Sequence, residues 1–145
     1  MRKFKCSGEK VPVLRLAMEK RACLRTDRVK LHTPDAIAAF VSKHYGCDPQ
    51  DHFLSILLSN ANEVIGVQEV SLGGMAAAPV DPRVVFSGAL IAGAAAIIVV
   101  HNHPSGDPTP SVADEALTQQ LTRAANALGL RVLDHVVVGR GGQFT

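Results

Sequence analysis

The sequence has few aromatic residues and few cysteines. Only 4% of its 145 residues are Phe, Trp or Tyr, and Phe4 is the one aromatic residue among the basic residues of positions 1–30. Such a segment does not support a base-stacking platform for nucleic acid. Cys6, Cys23 and Cys47 form no C-x-x-C pair, which argues against a cysteine metal site and a disulfide framework and predicts a reducing compartment.

A long apolar run is also missing. The most apolar region, residues 84–100, is interrupted by Ser87, Gly88 and Gly93, and it therefore predicts a helix, a turn and a buried strand rather than a membrane span. The basic N-terminus has no apolar segment of the kind that a secretory signal peptide requires. We expect a cytoplasmic protein with no membrane partner.

The charge is distributed unevenly along the chain. Residues 1–30 contain ten Lys or Arg and three Asp or Glu, a net of +7, whereas residues 31–145 carry a net of −5. We expect a basic N-terminal segment, residues 1–28, that is partly disordered or forms an edge strand at 11–18, followed by one domain at 29–145. The basic residues 1–30 could contact nucleic acid or an acidic partner, or they form a solvated segment.

Helix and strand signals alternate through the domain. Thr33-Pro34 and Asp81-Pro82 each place a capping residue before a proline, which is typical of a helix start. Asn60-Ala61-Asn62 separates two β-rich runs and predicts an antiparallel hairpin. We predict an α/β domain with a mixed sheet flanked by helices. The predicted helices are 34–45, 82–92 and 111–128, and the predicted strands are 52–58, 63–72, 95–100 and 130–138.

Two histidines follow the buried strand 95–100 directly. His101 and His103 are two residues apart, so on an extended chain their side chains point to the same side. A loop stiffened by three prolines then returns the chain to a helix that carries Asp114 near its N-terminus. Two imidazoles and a carboxylate suit zinc and leave a fourth position for water.

The serine in this region has two interpretations. Ser111-x-x-Asp114 alone has the pattern of a capping box, in which a serine and an acid satisfy the first turn of a helix. Beside a metal centre, the Ser111 hydroxyl could also donate a hydrogen bond to a developing oxyanion.

A zinc hydrolase also needs a base that accepts a proton from water. The candidates are Glu63, Glu69 and Glu115. Glu115 adjoins Asp114 on a helix and so points about 100° away from it, while Glu63 lies next to a turn. Glu69 lies inside a strand between apolar residues, which favours a functional carboxylate over a charge on a solvent face.

The run His101-x-His103-x7-Ser111-x-x-Asp114, with Glu69 upstream, resembles the JAMM motif of the JAB/MPN+ metalloproteases. The contiguous sequence 101–111 is similar to that of the bacterial RadC-like branch, long named as DNA repair proteins. The tripeptide His101-Asn102-His103 does not indicate an HNH nuclease, because in that group the three letters name residues that are separated along a ββα unit.

The resemblance implies a cytidine-deaminase-like α/β/α sandwich. It also implies one zinc ion (Zn2+) per chain, bound by His101, His103 and Asp114 with a water as fourth ligand. Glu69 would act as general acid and base, and Ser111 would steady the tetrahedral intermediate. The implied activity is that of a JAMM-type zinc metallopeptidase, which hydrolyses a peptide or isopeptide bond of a peptide or protein substrate.

The alternative hypothesis is a non-enzymatic binding module for nucleic acid, stabilised by a structural zinc. Structural zinc sites normally have four protein ligands. His135 is the one further histidine near a predicted strand end, and its participation would close the site and favour this alternative.

Overall fold

The computed structural model describes residues 33–45, 52–72, 80–103, 105–139 and 143–145. The basic segment 1–28 and its predicted edge strand at 11–18 lie outside the described residues. No helix in the described ranges has both the length and the apolar character that crossing a membrane requires. The elements are α1 (Pro34–Tyr45), β1 (His52–Leu58), β2 (Val64–Leu72), α2 (Pro82–Ala92), β3 (Ala96–Asn102), α3 (Val112–Ala127) and β4 (Arg131–Val138).

The helices begin where their capping residues predict. The Thr33 hydroxyl accepts a hydrogen bond from the backbone N–H of Ala36 at 3.3 Å, and the Asp81 carboxylate accepts one from the N–H of Arg83 at 2.8 Å. Gly93 then ends α2 with a left-handed φ of 66°, a conformation that costs glycine little because it has no Cβ. These caps confirm the starts of α1 and α2.

The four strands form one mixed sheet in the order β2-β1-β3-β4. β1 is antiparallel to both β2 and β3, and β3 is parallel to β4, which confirms the predicted hairpin and the mixed sheet. β3 extends two residues beyond its predicted end, because His101 still pairs with Phe53 on one side and with Val137 on the other. His101 is therefore part of the sheet rather than of the following loop.

Helices cover both faces of the sheet. α1 packs on one face, where it contacts the side chains of Leu54 and Val100 among others. α2 and α3 pack on the other face, against Phe53 and Val99. Because successive strand residues point to opposite faces, Phe53 and Leu54 belong to different cores. This arrangement is the predicted α/β/α sandwich.

An irregularity in the β3–β4 ladder decides where one histidine points. The pairing skips Leu133, as a β-bulge does when one strand carries an extra residue. His135 consequently lies opposite Val99, and its side chain shares the α3 face of the sheet with His101. In an uninterrupted register, His135 would point toward α1.

Candidate metal centre

Three side chains converge between the end of β3 and the start of α3. The Nε2 atoms of His101 and His103 are 2.9 Å apart. Asp114 Oδ1 lies 3.2 Å from His101 Nε2, and Asp114 Oδ2 lies 3.5 Å from His103 Nε2. This group confirms that the proline-rich loop brings the predicted carboxylate beside both histidines.

Backbone hydrogen bonds hold His103 although it follows the last residue of β3. Its N–H donates to the carbonyl of Val138 at 2.9 Å, and its own carbonyl accepts from Gly106 at 2.9 Å. The Nδ1 atom of its ring lies 2.8 Å from the carbonyl oxygen of Asp107. Because a carbonyl only accepts hydrogen bonds, His103 carries its proton on Nδ1 and directs an Nε2 lone pair toward the group.

Ser111 fixes the carboxylate of Asp114. The backbone N–H and the hydroxyl of Ser111 both donate to Asp114 Oδ2, at 2.7 and 2.6 Å, and the Ser111 oxygen accepts from the Asp114 N–H at 3.2 Å. The pair forms the predicted capping box. Burial alone would raise the pKa of Asp114, but the Ser111 hydrogen bonds and the nearby histidines outweigh it and lower that pKa, so that the carboxylate is ionised.

His101 is almost completely enclosed, with 2% of its side chain exposed. Burial lowers the pKa of His101 to about 4, and the positive charge of a protonated His135 would act in the same direction. The negative charge of Asp114 acts in the opposite direction. The ring is therefore neutral at pH 7, as a metal ligand must be. His103 has a side chain that is 23% exposed, so the group opens to solvent on its side.

The spacing of the group fits a tetrahedral metal ion. Zinc binds imidazole nitrogen and carboxylate oxygen at about 2.0–2.2 Å, which places neighbouring ligand atoms about 3.3–3.5 Å apart. The three separations here are 2.9, 3.2 and 3.5 Å. Two imidazole nitrogens and one carboxylate oxygen also form the mixed donor set of open zinc sites. The residues present thus fit the implied ion.

The structure does not bring Glu69 to this group. Glu69 pairs with Leu54 in the sheet, and therefore shares the face that α1 covers, whereas His101 pairs with Phe53 and faces α3. The Glu69 carboxylate instead accepts a hydrogen bond from Tyr45 of α1. Its role as general base stays a prediction from the motif.

The side chains of His101, His103 and Asp114 are called the metal group, because they could hold a metal ion together. An open groove of about 480 Å³ lies between α3 and β4 beside this group. Its wall includes Asp114, Glu115 and His135. Of the three candidate bases, Glu115 is the one that lines this groove, whereas Glu63 lies by the hairpin turn, where its N–H donates to the Ser59 hydroxyl.

His135 lies behind His101 rather than beside the three ligands. Its Nε2 is 2.8 Å from His101 Nδ1, and its Nδ1 is 2.6 Å from the Thr118 hydroxyl. Within the described ranges, the group that could hold a metal comprises His101, His103 and Asp114. Sequence reasoning missed Thr118, although its position four residues after Asp114 on a helix places both on one face.

Comparison with known proteins agrees with this geometry. The family model described as the RadC-like JAB domain matches residues 31–145. A UPF0758 protein of Symbiobacterium thermophilum is 45% identical over 115 residues, which cover 79% of this chain and 49% of the relative. A UPF0758 protein of Paracidovorax citrulli is 39% identical over 135 residues, which cover 93% of this chain and 57% of the relative.

A third UPF0758 protein, from Desulforudis audaxviator, is 41% identical over 109 residues, covering 75% of this chain and 47% of the relative. The chain thus spans about half the length of the curated relatives that it matches. The family model covers most of the chain and includes the whole metal group. The chain belongs to the RadC-like JAB domain family.

Proposed function

We propose that this chain is a zinc-dependent hydrolase that cleaves a peptide or isopeptide bond. The observation that carries the proposal is the convergence of three ligand atoms, from His101, His103 and Asp114, beside an open groove. With three protein ligands, one position of a tetrahedral ion is left for water or substrate, as in catalytic zinc sites.

Zinc bound there would lower the pKa of water toward roughly 7 and polarise an amide carbonyl. The chain's own residues set the conditions for that chemistry. Ser111 holds Asp114 ionised and oriented through two donated hydrogen bonds. The buried His101 excludes water from one side of the group, whereas the partly exposed His103 leaves the other side accessible.

Ser111 keeps its predicted second role as part of this proposal. Its hydroxyl proton is directed at Asp114 in the structure, and the side chain would have to rotate to donate to the oxyanion of a substrate. Substitution by alanine removes both functions, so the kcat of Ser111→Ala must be compared at saturating zinc, where the loss of ligand orientation is compensated.

The direct test combines zinc content with cleavage of a peptide library by the zinc-loaded protein. We expect one zinc per chain in the wild type and none in His103→Ala or Asp114→Ala, with cleavage only in the wild type. Equal zinc in all three proteins would refute the site. Zinc in the wild type alone, without cleavage of any peptide or isopeptide-linked substrate, would favour the binding module.

Hydrolysis adds hydroxide to the carbonyl carbon and a proton to the leaving nitrogen, so a carboxylate must accept and return a proton. The motif assigns this role to Glu69, whereas Glu115 lines the groove together with Asp114. Glu69→Gln and Glu115→Gln should both keep zinc. The variant that also loses turnover identifies the proton acceptor.

Contact with nucleic acid through the basic residues 1–30 remains a second proposal, based on their net charge of +7. It predicts DNA binding that weakens steeply with salt, because phosphate contacts release counterions. Binding that survives deletion of residues 1–28, or that ignores salt, would contradict it.

A further inference from the structure

We propose that Thr118 and His135 are positioning residues that fix the ring of His101 with its proton on Nδ1 and its Nε2 lone pair directed at the metal. The proposal rests on the metal site of the proposed function, but it concerns the binding of the ion and not the reaction. The observation behind it is a continuous line of hydrogen-bonding atoms from Asp114 through Thr118 and His135 to His101.

The direction of the first hydrogen bond follows from the groups involved. The Thr118 hydroxyl lies 2.7 Å from the backbone carbonyl oxygen of Asp114. A carbonyl oxygen has no proton to donate, so the single hydroxyl proton of Thr118 occupies this contact. The Thr118 oxygen can then only accept from its second neighbour, His135 Nδ1, at 2.6 Å.

This assignment determines the state of both histidine rings. His135 carries its proton on Nδ1, and in the neutral ring Nε2 then holds the lone pair. The contact of 2.8 Å between His135 Nε2 and His101 Nδ1 therefore requires that His101 donate. His101 is left with its lone pair on Nε2, the atom that faces His103 and Asp114.

The chain of hydrogen bonds also explains why His135 is not a ligand. Both of its ring nitrogens are engaged, one by Thr118 and one by His101. Hydrogen bonds to the second nitrogen of a metal-bound histidine are the usual means by which proteins set ring orientation and tautomer. Most such partners are carboxylates or carbonyls, and here a neutral histidine takes that place.

Asp114 takes part at both ends of this series of hydrogen bonds. Its carboxylate is a candidate ligand, and its backbone carbonyl accepts from Thr118. The hydrogen bonds thus join α3, β4 and β3 around the metal group. His103 is oriented independently by the Asp107 carbonyl, so disruption at Thr118 should affect one of the two histidine ligands.

The test uses Thr118→Val, which removes the hydroxyl and keeps the branched shape, and Thr118→Ser, which restores a hydroxyl. Thr122→Val is the matched control, because the Thr122 hydroxyl makes the same kind of helical bond, to the Thr118 carbonyl at 2.8 Å, and has no hydrogen bond to a histidine within the described part of the chain. His135→Leu removes the side chain that links Thr118 to His101 through hydrogen bonds. Melting temperatures establish that each variant is folded.

The first measurement is the ring tautomer of His101, by ¹⁵N NMR of the metal-free protein. We expect the Nδ1–H form in the wild type, Thr118→Ser and Thr122→Val, and a mixture of tautomers in Thr118→Val and His135→Leu. An unchanged Nδ1–H signal in Thr118→Val and His135→Leu would overturn the proposal.

The second measurement is zinc affinity, by competition with a chromophoric chelator. Thr118→Val and His135→Leu should bind zinc about 10- to 100-fold more weakly than the wild type, as other losses of such partners do, whereas Thr118→Ser and Thr122→Val should match it. Affinities equal to the wild type would overturn the positioning role. If the wild type binds no zinc, the proposed function fails. The tautomer of His101 in the metal-free protein still tests whether Thr118 and His135 fix its ring.

Discussion

Ser111 donates two hydrogen bonds to one oxygen of Asp114, from its backbone N–H at 2.7 Å and from its hydroxyl at 2.6 Å. The same pair starts α3 and orients a candidate metal ligand, so the stability of the helix and the affinity of the site depend on one interaction. Asp114 lies at the third position of the helix, where the positive end of the helix dipole also favours a carboxylate.

Replacement of Ser111 by alanine should therefore have two effects. We expect the free energy of unfolding to fall by about 1 kcal/mol, because the cap is lost, and zinc affinity to fall at least about 10-fold, because Asp114 loses a donor. Urea denaturation and zinc titration measure the two. Ser111→Thr retains the hydroxyl and should preserve both properties; a Ser111→Ala protein with wild-type zinc affinity would contradict the orienting role.

The stability of the metal-free protein should decrease in mild acid. The pKa of His101 is about 4 in the folded protein and 6.5 in the unfolded chain, so the unfolded chain takes up a proton first as the pH falls. The stabilisation that comes from the neutral, buried His101 ring is complete above pH 6.5 and is lost as the pH falls from 6.5 to about 4. We expect the free energy of unfolding to be about 2 kcal/mol lower at pH 5 than at pH 7.5.

Urea denaturation in the presence of a chelator measures this difference, and His101→Asn, which cannot titrate in this range, should show a smaller one. Equal stability of the wild type at the two pH values would contradict the buried, neutral state of His101.

The pairing of Glu69 with Tyr45 can be measured directly, because the chain has one tyrosine and no tryptophan. Burial, and then the charge and hydrogen bond of Glu69, raise the pKa of Tyr45 above 10.0. Glu69→Gln should lower that pKa in a spectrophotometric titration of tyrosinate, whereas Glu63→Gln should leave it unchanged. An unaltered titration in Glu69→Gln would show that Glu69 faces elsewhere.

Phe53 supports the metal group from the sheet. It has no exposed surface, and its ring stacks on that of His101 at a centroid distance of 5.9 Å and an interplanar angle of 15°. Phe53→Ala should lower the free energy of unfolding by about 3–5 kcal/mol, because it leaves a cavity in the core. Thermal unfolding provides the measurement.

Ile65→Ala serves as the control for this cavity, since Ile65 lies in the neighbouring strand and is 47% exposed. We expect a change within about 0.5 kcal/mol there. A comparable loss in both variants would mean that Phe53 is not the packing support of the site.

Much of the fold could be predicted because local signals agreed with the final structure. The capping residues Thr33, Asp81 and Ser111 stand before the three helices that they predict. The predicted end of β3 is two residues too early, because pairing with Phe53 and Val137 extends the strand through His101. Such pairing partners lie far away in sequence and leave no local signal.

The metal group was predictable for a similar reason. His101 and His103 are two residues apart, and the period of an extended chain brings them to one side. Asp114 follows after a short, proline-stiffened loop that limits how far the helix can lie from the strand. These relationships are nearly local, and a one-dimensional pattern contains them.

The helices, the strands and the three candidate ligands thus follow from local sequence patterns, since each depends on residues that are close along the chain. The faces of Glu69 and His135 depend instead on how the strands pair in the folded protein. Glu69 faces α1 through its pairing with Leu54, and His135 faces α3 because the β3–β4 ladder skips Leu133. A shift of one residue in a strand register reverses the face of a side chain, and no local pattern in the sequence specifies that shift.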